Sequence, residues 1–169
     1  MDRELRSILW SQFGAAIDML ENAMLACPDE LWSDRSKKPE FWYLVYHTLF
    51  WLDLYLSADP DEFTPPAPFT LDELDPAGVL PEWPFTKEEL LTYLDHGREK
   101  CRAAIAALTD ETVHQRRRFP WGEVGFLELL LYNLRHVQHH AAQLNMILRR
   151  EIDSAPRWVA RAGQELGAD

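Results

Sequence analysis

Apolar residues recur at helical spacing along four stretches of the chain, and this periodicity constrains the fold most strongly. The patterns predict helices over residues 2–26, 39–57, 86–108 and from 123 or 126 to 150. No segment alternates apolar and polar residues as a half-buried strand would. The sequence therefore predicts an all-α fold. The first helix shows the clearest apolar face, formed by Leu5, Ile8, Leu9, Phe13, Ala16, Ile17, Leu20 and Met24.

A proline-rich segment, residues 58–85, separates the second predicted helix from the third. Proline removes a backbone donor and clashes inside a helix, so a long helix is excluded here. Apolar residues between the prolines favour a packed crossover. A lid or site wall containing Phe63, Phe69 and Trp83 is the alternative. The prolines of the segment are Pro60, Pro65, Pro66, Pro68, Pro76, Pro81 and Pro84.

Capping signals mark two further helix starts. Thr86 and Glu89 have the spacing of a capping box, which predicts the start of the third helix. Asp153 or Ser154 is predicted to cap a short C-terminal helix over residues 153–158. Four long helices with a long crossover between helices 2 and 3 predict a four-helix bundle.

Composition and charge limit the classes of function. A length of 169 residues suits a single domain over residues 1–169. The net charge of −11 argues against binding nucleic acid, and Arg116–Arg118 is interpreted as a solvated turn. No apolar run reaches the ~18 residues of a membrane span, so no membrane association is expected. Cys27 and Cys101 fit neither a disulfide framework nor a thiolate metal motif, which favours a cytoplasmic protein.

Three histidines are placed to bind one metal ion. His136 and His140 are four residues apart in the last predicted helix, so they lie on one helix face about 6 Å apart along the axis. His47, in the apolar second helix, would supply a third nitrogen from a facing helix. Imidazole suits zinc, nickel, copper and iron. Three protein ligands leave a coordination position open for water or substrate, as in catalytic zinc sites.

Other polar residues leave alternatives open. Histidines on apolar faces are commonly hydrogen-bonded core residues, so a helical bundle without metal is another interpretation. The pair His136 and His139 could also reach a metal, but the four-residue pair coincides better with the apolar stripe. His139 is therefore predicted to support a ligand, or to face a substrate or a partner. Asn133, one turn before His136, is predicted to orient a ligand or substrate, and an interhelical hydrogen bond is the alternative. His96 and His114 lie in polar surroundings and are predicted to be on the surface.

The chain resembles the DinB/YfiT-like superfamily through its helix order, His47 and the segment His136-Val137-Gln138-His139-His140-Ala141-Ala142-Gln143. This resemblance implies a four-helix bundle and one divalent metal ion, zinc or nickel, with His47, His136 and His140 as ligands. It also implies a homodimer. Characterised members are S-transferases or isomerases that use low-molecular-weight thiols, and others are described as metal-dependent hydrolases. A small-molecule substrate, and a thiol among the candidates, is therefore expected.

Two functions follow from these observations. The first is a metal-dependent transferase or hydrolase that activates a thiol or water at the open coordination position. The alternative is a non-catalytic, metal-stabilised helical dimer that acts as a binding or stress-response module. The dimer is also predicted because the second helix is apolar on most sides, with Trp42, Trp51 and Trp121 as candidates for a shared surface.

Overall fold

The computed structural model describes residues 2–78 and 81–167. Within them a two-stranded antiparallel sheet and two short 3-10 turns, at Asp72–Leu74 and Thr112–His114, accompany five α-helices. The prediction of a largely helical fold is confirmed, and the small sheet is added to it. The elements are α1 (Arg3–Ala26), α2 (Asp29–Trp32), α3 (Phe41–Tyr55), α4 (Lys87–Ala106), β1 (Arg116–Phe119), β2 (Gly122–Gly125) and α5 (Phe126–Ile152).

The ends of the long helices follow the local signals in the sequence. Asp2 caps α1 by accepting a hydrogen bond from the backbone N–H of Glu4. The predicted capping box at Thr86 and Glu89 is confirmed at the start of α4. The last long helix begins at Phe126, the later of the two predicted starts. The short helix α2 was not predicted, because a single helical turn carries too little periodicity to be recognised.

The four longer helices pack side by side, and α3 is the most enclosed of them. α1 and α3 each contact both α4 and α5. Twelve of the fifteen residues of α3 are buried. The other three, Tyr43, His47 and Trp51, follow one another at four-residue intervals and share one face. The only accessible face of α3 is therefore the one that carries His47. In the described part of the chain, no helix is both long and apolar enough to cross a membrane.

Residues 58–78 and 81–85 pack along α3 and α4. Apart from the turn at Asp72–Leu74 this segment is irregular where it is described, as its prolines predict. The ring of Phe69 stacks on that of Tyr93, with centroids 4.3 Å apart. The crossover therefore buries apolar surface of its own chain, which confirms that it packs rather than extends into solvent.

This coverage removes one of the two grounds on which a dimer was predicted, the apolar second helix, and leaves the family resemblance as the other. The apolar surface of α3 is covered within one chain by the other helices and by the crossover. Trp42 is fully buried, and its indole N–H donates to Glu40 at 2.8 Å, so its assignment to a shared surface is wrong. Trp51 is half-buried and Trp121 is 47% exposed. Only these two of the three tryptophans remain accessible.

A β-hairpin between α4 and α5 was not predicted. Arg117 pairs with Val124, and Phe119 pairs with Gly122. The arginine cluster is largely solvent-exposed, as predicted, but it lies on a strand and not in a turn. The predicted absence of strands is wrong. Each strand has four residues and buries one side chain, which is too short for a period of two to be recognised. Gly122, at the turn, has a φ of 146°, a conformation that residues with side chains rarely adopt.

The predicted C-terminal helix is also wrong. Asp153 ends α5 in the left-handed conformation, with a φ of 54°, and residues 154–167, the described part that follows, contain no helix. This final segment runs along α1. The backbone N–H of Ala162 donates to the carbonyl of Ser11 at 2.9 Å, and the indole N–H of Trp10 donates to the carbonyl of Gln164 at 2.7 Å. Contacts with α1 thus replace the hydrogen bonds of a local helix.

Candidate metal centre

Three imidazole rings converge between α3 and α5. His47 comes from α3, and His136 and His140 come from successive turns of α5. The Nε2 atom of His136 lies 3.3 Å from that of His47 and 3.1 Å from that of His140. Ligand atoms of all three residues lie within 4.8 Å of one another, so the cluster could hold a metal ion. The structure brings together the three histidines that the sequence singled out.

The nitrogen separations match those around one small cation. Two nitrogens that each lie ~2.05 Å from a tetrahedral zinc ion are ~3.3 Å apart. The observed separations of 3.3 and 3.1 Å are close to this value. Three nitrogens around a tetrahedral ion leave one position for water or a substrate atom. The donor set and its spacing therefore fit a divalent ion that accepts imidazole ligands.

Hydrogen bonds on the outer side of two rings direct their Nε2 atoms inward. The Nδ1 atom of His47 contacts a carboxylate oxygen of Glu73, which comes from the crossover. The Nδ1 atom of His140 lies 2.7 Å from the side-chain oxygen of Gln143. Both oxygens accept, so each Nδ1 carries a proton, and a ring in its neutral form then has its lone pair on Nε2. Such outer partners commonly fix the orientation of metal-binding histidines.

Burial keeps two of the rings neutral. Burial, together with the smaller effects of the neighbouring His140 and His47, lowers the pKa of His136 to about 3. Burial likewise lowers the pKa of His140 to about 4, against the opposing effect of its hydrogen bond to Gln143. Neutral imidazole is the form that binds metals. The side chain of His47 remains 26% exposed, so the cluster is accessible to solvent along the open face of α3.

The cluster also has a metal-free arrangement. The Nδ1 atom of His136 is buried and has no hydrogen-bond partner within the described residues. If His136 carries its proton on Nε2, it can donate that proton to the Nε2 atoms of His47 and His140. Metal binding requires the same lone pair, so the proton must move to Nδ1 or leave. Core histidines without metal are thus compatible with this geometry, and direct measurement of metal binding separates the two interpretations.

The other polar residues singled out in the sequence lie outside the cluster. Asn133 is fully buried, and its side-chain N–H donates to the carbonyl of Leu52 at 3.0 Å. It therefore makes the interhelical hydrogen bond that was the alternative for it. His139 is exposed, with its ring centroid 5.0 Å from that of His140. His96 and His114 are exposed, as predicted.

The crossover reaches the centre through a residue that was not predicted. Phe63 and Phe69 are buried in the core and Trp83 is 72% exposed. No ring contact joins any of these three to a cluster histidine in the described part of the chain. Glu73 contacts His47 instead. An acidic residue in an acidic, exposed stretch carries no local pattern that distinguishes it from Asp72, so its role required the fold.

Aromatic side chains connect the cluster to the hairpin. The Trp51 ring lies 6.3 Å from that of His47, and the Tyr55 ring lies 6.4 Å from that of His136. Tyr55 packs edge-on against Tyr132, on which the ring of Trp121 stacks at 4.9 Å. The hairpin that carries Trp121 is therefore anchored to α5 one turn before His136.

A comparison with known protein families supports the resemblance noted in the histidine pattern. The family model described as the DinB superfamily matches residues 12–144, which include His47, Glu73, His136 and His140. No curated protein matches the chain. The match extends over more than half of the sequence, and the chain therefore belongs to the DinB superfamily.

Proposed function

We propose that this member of the DinB superfamily binds one divalent metal ion, zinc or nickel, through His47, His136 and His140. We also propose that it is an enzyme and that the bound ion takes part in catalysis. The observation that carries the proposal is the convergence of three Nε2 atoms at separations of 3.3 and 3.1 Å. These separations match adjacent ligands of one ion. The reaction type that we propose is thiol S-transfer or hydrolysis of a small molecule.

The residues of the chain support this chemistry in three ways. Neutral imidazoles leave the full charge of a bound divalent ion in place, and that charge lowers the pKa of a coordinated thiol or water. Glu73 and Gln143 hold two of the rings by their Nδ1 atoms. The partial exposure of His47 gives a small molecule access to the centre.

Other parts of the proposal concern the whole chain. We propose a single domain over residues 1–169, built as a four-helix bundle with its long crossover between the second and third long helices. Unpaired, buried Cys27 and Cys101 accord with a cytoplasmic location.

A homodimer remains part of the proposal, with Trp51 and Trp121 as the accessible candidates for the surface that the two copies share. Light scattering at micromolar concentration tests it, and a monomer would contradict it.

Metal content and thermal stability test the centre. Purified protein is expected to bind one equivalent of zinc or nickel, and a ligand at ~100 times its dissociation constant stabilises a fold by about 2.7 kcal/mol. A chelator should remove this stabilisation and added zinc should restore it. His136→Ala should abolish it. His114→Ala, a change at an exposed histidine outside the cluster, should not. Equal metal stoichiometry in both variants would contradict the assignment.

Turnover separates the catalytic proposal from its alternative. The metal-loaded protein is incubated with low-molecular-weight thiols and electrophiles, and separately with esters and amides. Product formation that disappears on chelation and in His47→Ala supports the enzyme. Metal binding without turnover across these classes instead supports the non-catalytic, metal-stabilised module.

A further inference from the structure

Glu73 occupies an unusual position for an acidic residue of an irregular segment. Its side chain is only 7% exposed, whereas the adjacent Asp72 and Leu74 are exposed. One of its oxygens contacts the Nδ1 atom of His47 and accepts a hydrogen bond from the indole N–H of Trp51 at 3.2 Å. The other accepts from the hydroxyl of Tyr43 at 3.2 Å. A single carboxylate thus binds the whole accessible face of α3.

Of the residues that the structure describes, the imidazole of His47 is the only potential cation that contacts Glu73. Among the described residues, no lysine or arginine forms an ion pair with it, and its three donors are a phenol, an indole and an imidazole. Burying an uncompensated carboxylate is costly. A cation bound to Nε2 of His47 would place positive charge on the ring that donates to Glu73. A carboxylate, an imidazole and a metal in line is a recurrent arrangement in metal sites.

From this geometry we propose that Glu73 couples metal binding to closure of the crossover over α3. The inference rests on the proposed metal centre and adds its regulation. An ion bound to Nε2 of His47 strengthens the Nδ1–H donor and so favours the closed position of Asp72–Leu74. Coupling between two equilibria is reciprocal. The closed crossover therefore raises metal affinity by the same factor by which the metal favours closure.

The coupling has a consequence for entry to the centre. Segments with few regular hydrogen bonds open locally at low free-energy cost, and residues 70–76 belong to such a segment. Opening withdraws Glu73 from His47 and leaves the centre with weaker affinity. Metal exchange should therefore accompany opening of the crossover, whereas the loaded centre should keep the crossover closed.

Two measurements on the full chain test this coupling. The first is zinc affinity by competition with a chromophoric chelator. The second is hydrogen exchange of the backbone amides of residues 70–75 with and without zinc. In the wild type, zinc should slow exchange in these residues. Glu73→Gln keeps the shape but removes the charge, and it should lower zinc affinity by ~10–100-fold, the usual cost of losing an outer partner. It should also remove most of the zinc-dependent protection.

Glu82→Gln is the matched control, because Glu82 is an exposed acid of the same crossover. It should leave both measurements unchanged. Tyr43→Phe removes one hydrogen bond to Glu73 and leaves the three histidines unchanged. It should give a smaller loss of zinc affinity and of zinc-dependent protection. This variant tests the coupling if Glu73→Gln does not fold. Wild-type affinity in Glu73→Gln, or zinc-independent exchange in the wild type, overturns the coupling alone. A wild type that binds no divalent ion overturns the proposed centre as well.

Discussion

Helix α3 holds His47 on its accessible face and Asp53 in the core, and the surroundings of these two residues differ in one respect. His47 and Asp53 are six residues apart, which places them roughly 120° apart around the helix. Asp53 meets Lys100, an opposite charge. His47 meets His136 and His140, which present the same kind of atom that it does. Complementary groups stabilise a fold by themselves, whereas like groups that face one another need a proton or a cation between them.

The Asp53 cluster satisfies its own polar groups. The carboxylate is 1% exposed, accepts a hydrogen bond from the hydroxyl of Tyr93 at 3.1 Å and pairs with the ammonium of Lys100. The same ammonium donates to the hydroxyl of Ser57 at 2.9 Å. Nothing in this arrangement requires a ligand. The α3–α4 cluster therefore stabilises the fold by itself, whereas the α3–α5 cluster could hold a metal ion.

The largest expected effect comes from breaking the self-sufficient cluster. Lys100→Met removes the cation and leaves Asp53 buried without its charge partner. Removing one member of a buried pair costs about 3 kcal/mol or more of unfolding free energy. Chemical denaturation of the metal-free protein measures this loss, and its transition should move to clearly lower denaturant concentration.

The matched change in the other cluster should behave differently. His136→Leu replaces a neutral ring with an apolar side chain of similar volume, so metal-free unfolding should change by less than about 1.5 kcal/mol. The same variant should lose zinc binding, whereas Lys100→Met should keep it. If His136→Leu destabilises the metal-free protein as strongly as Lys100→Met does, the histidines are structural and the contrast between the clusters is invalid.

Sequence patterns were sufficient for the parts of this molecule that depend on local periodicity. The long helices, the capping box at Thr86 and the histidine set all follow from residue spacing along the chain. The stripe of apolar side chains on each long helix already indicates which face of that helix packs against the others. For the same reason the i, i+4 spacing of His136 and His140 is enough to place both rings on one face of a helix.

The features that sequence could not predict depend on contacts between distant segments. Glu73 binds His47 across a crossover whose path no local pattern specifies. The hairpin is too short for its alternation to be recognised. The C-terminal segment lies along α1, where a Cβ atom on Gly14 would lie only 2.6 Å from that of Ala162. Tertiary contacts of this kind replaced the helix that residues 153–158 were predicted to form.

Acid should destabilise the fold through the two histidines that α5 contributes to the α3–α5 cluster. The pKa values of His136 and His140 are lowered to about 3 and about 4, chiefly by burial, whereas an unfolded histidine titrates near ~6.5. As pH falls below ~6.5 the unfolded chain takes up protons that the folded chain does not. Stability is therefore complete above this pH and decreases below it, by up to about 1 kcal/mol per histidine between pH 6.5 and 5.5.

Denaturation of the metal-free protein over this pH range measures the decrease. His136→Leu removes one of the two groups and should make the decrease shallower, whereas His114→Ala, at an exposed histidine, should not change it through this mechanism. A decrease of equal steepness in the wild type and His136→Leu would show that the buried rings do not determine the acid response.

The smallest expected effect concerns the second outer partner of the centre. Gln143 holds the Nδ1 atom of His140 at 2.7 Å, as Glu73 holds that of His47, but Gln143 is exposed and carries no charge. Water can replace its oxygen once the side chain is removed. Gln143→Ala should therefore reduce zinc affinity by about threefold, the equivalent of ~0.65 kcal/mol, against at least ~10-fold for Glu73→Gln. Competition titrations on both variants compare these losses directly. Equal losses of zinc affinity would show that the charge and burial of Glu73 add nothing to orientation of the ring. A buried outer partner and a solvent-exposed one would then be equivalent for metal binding.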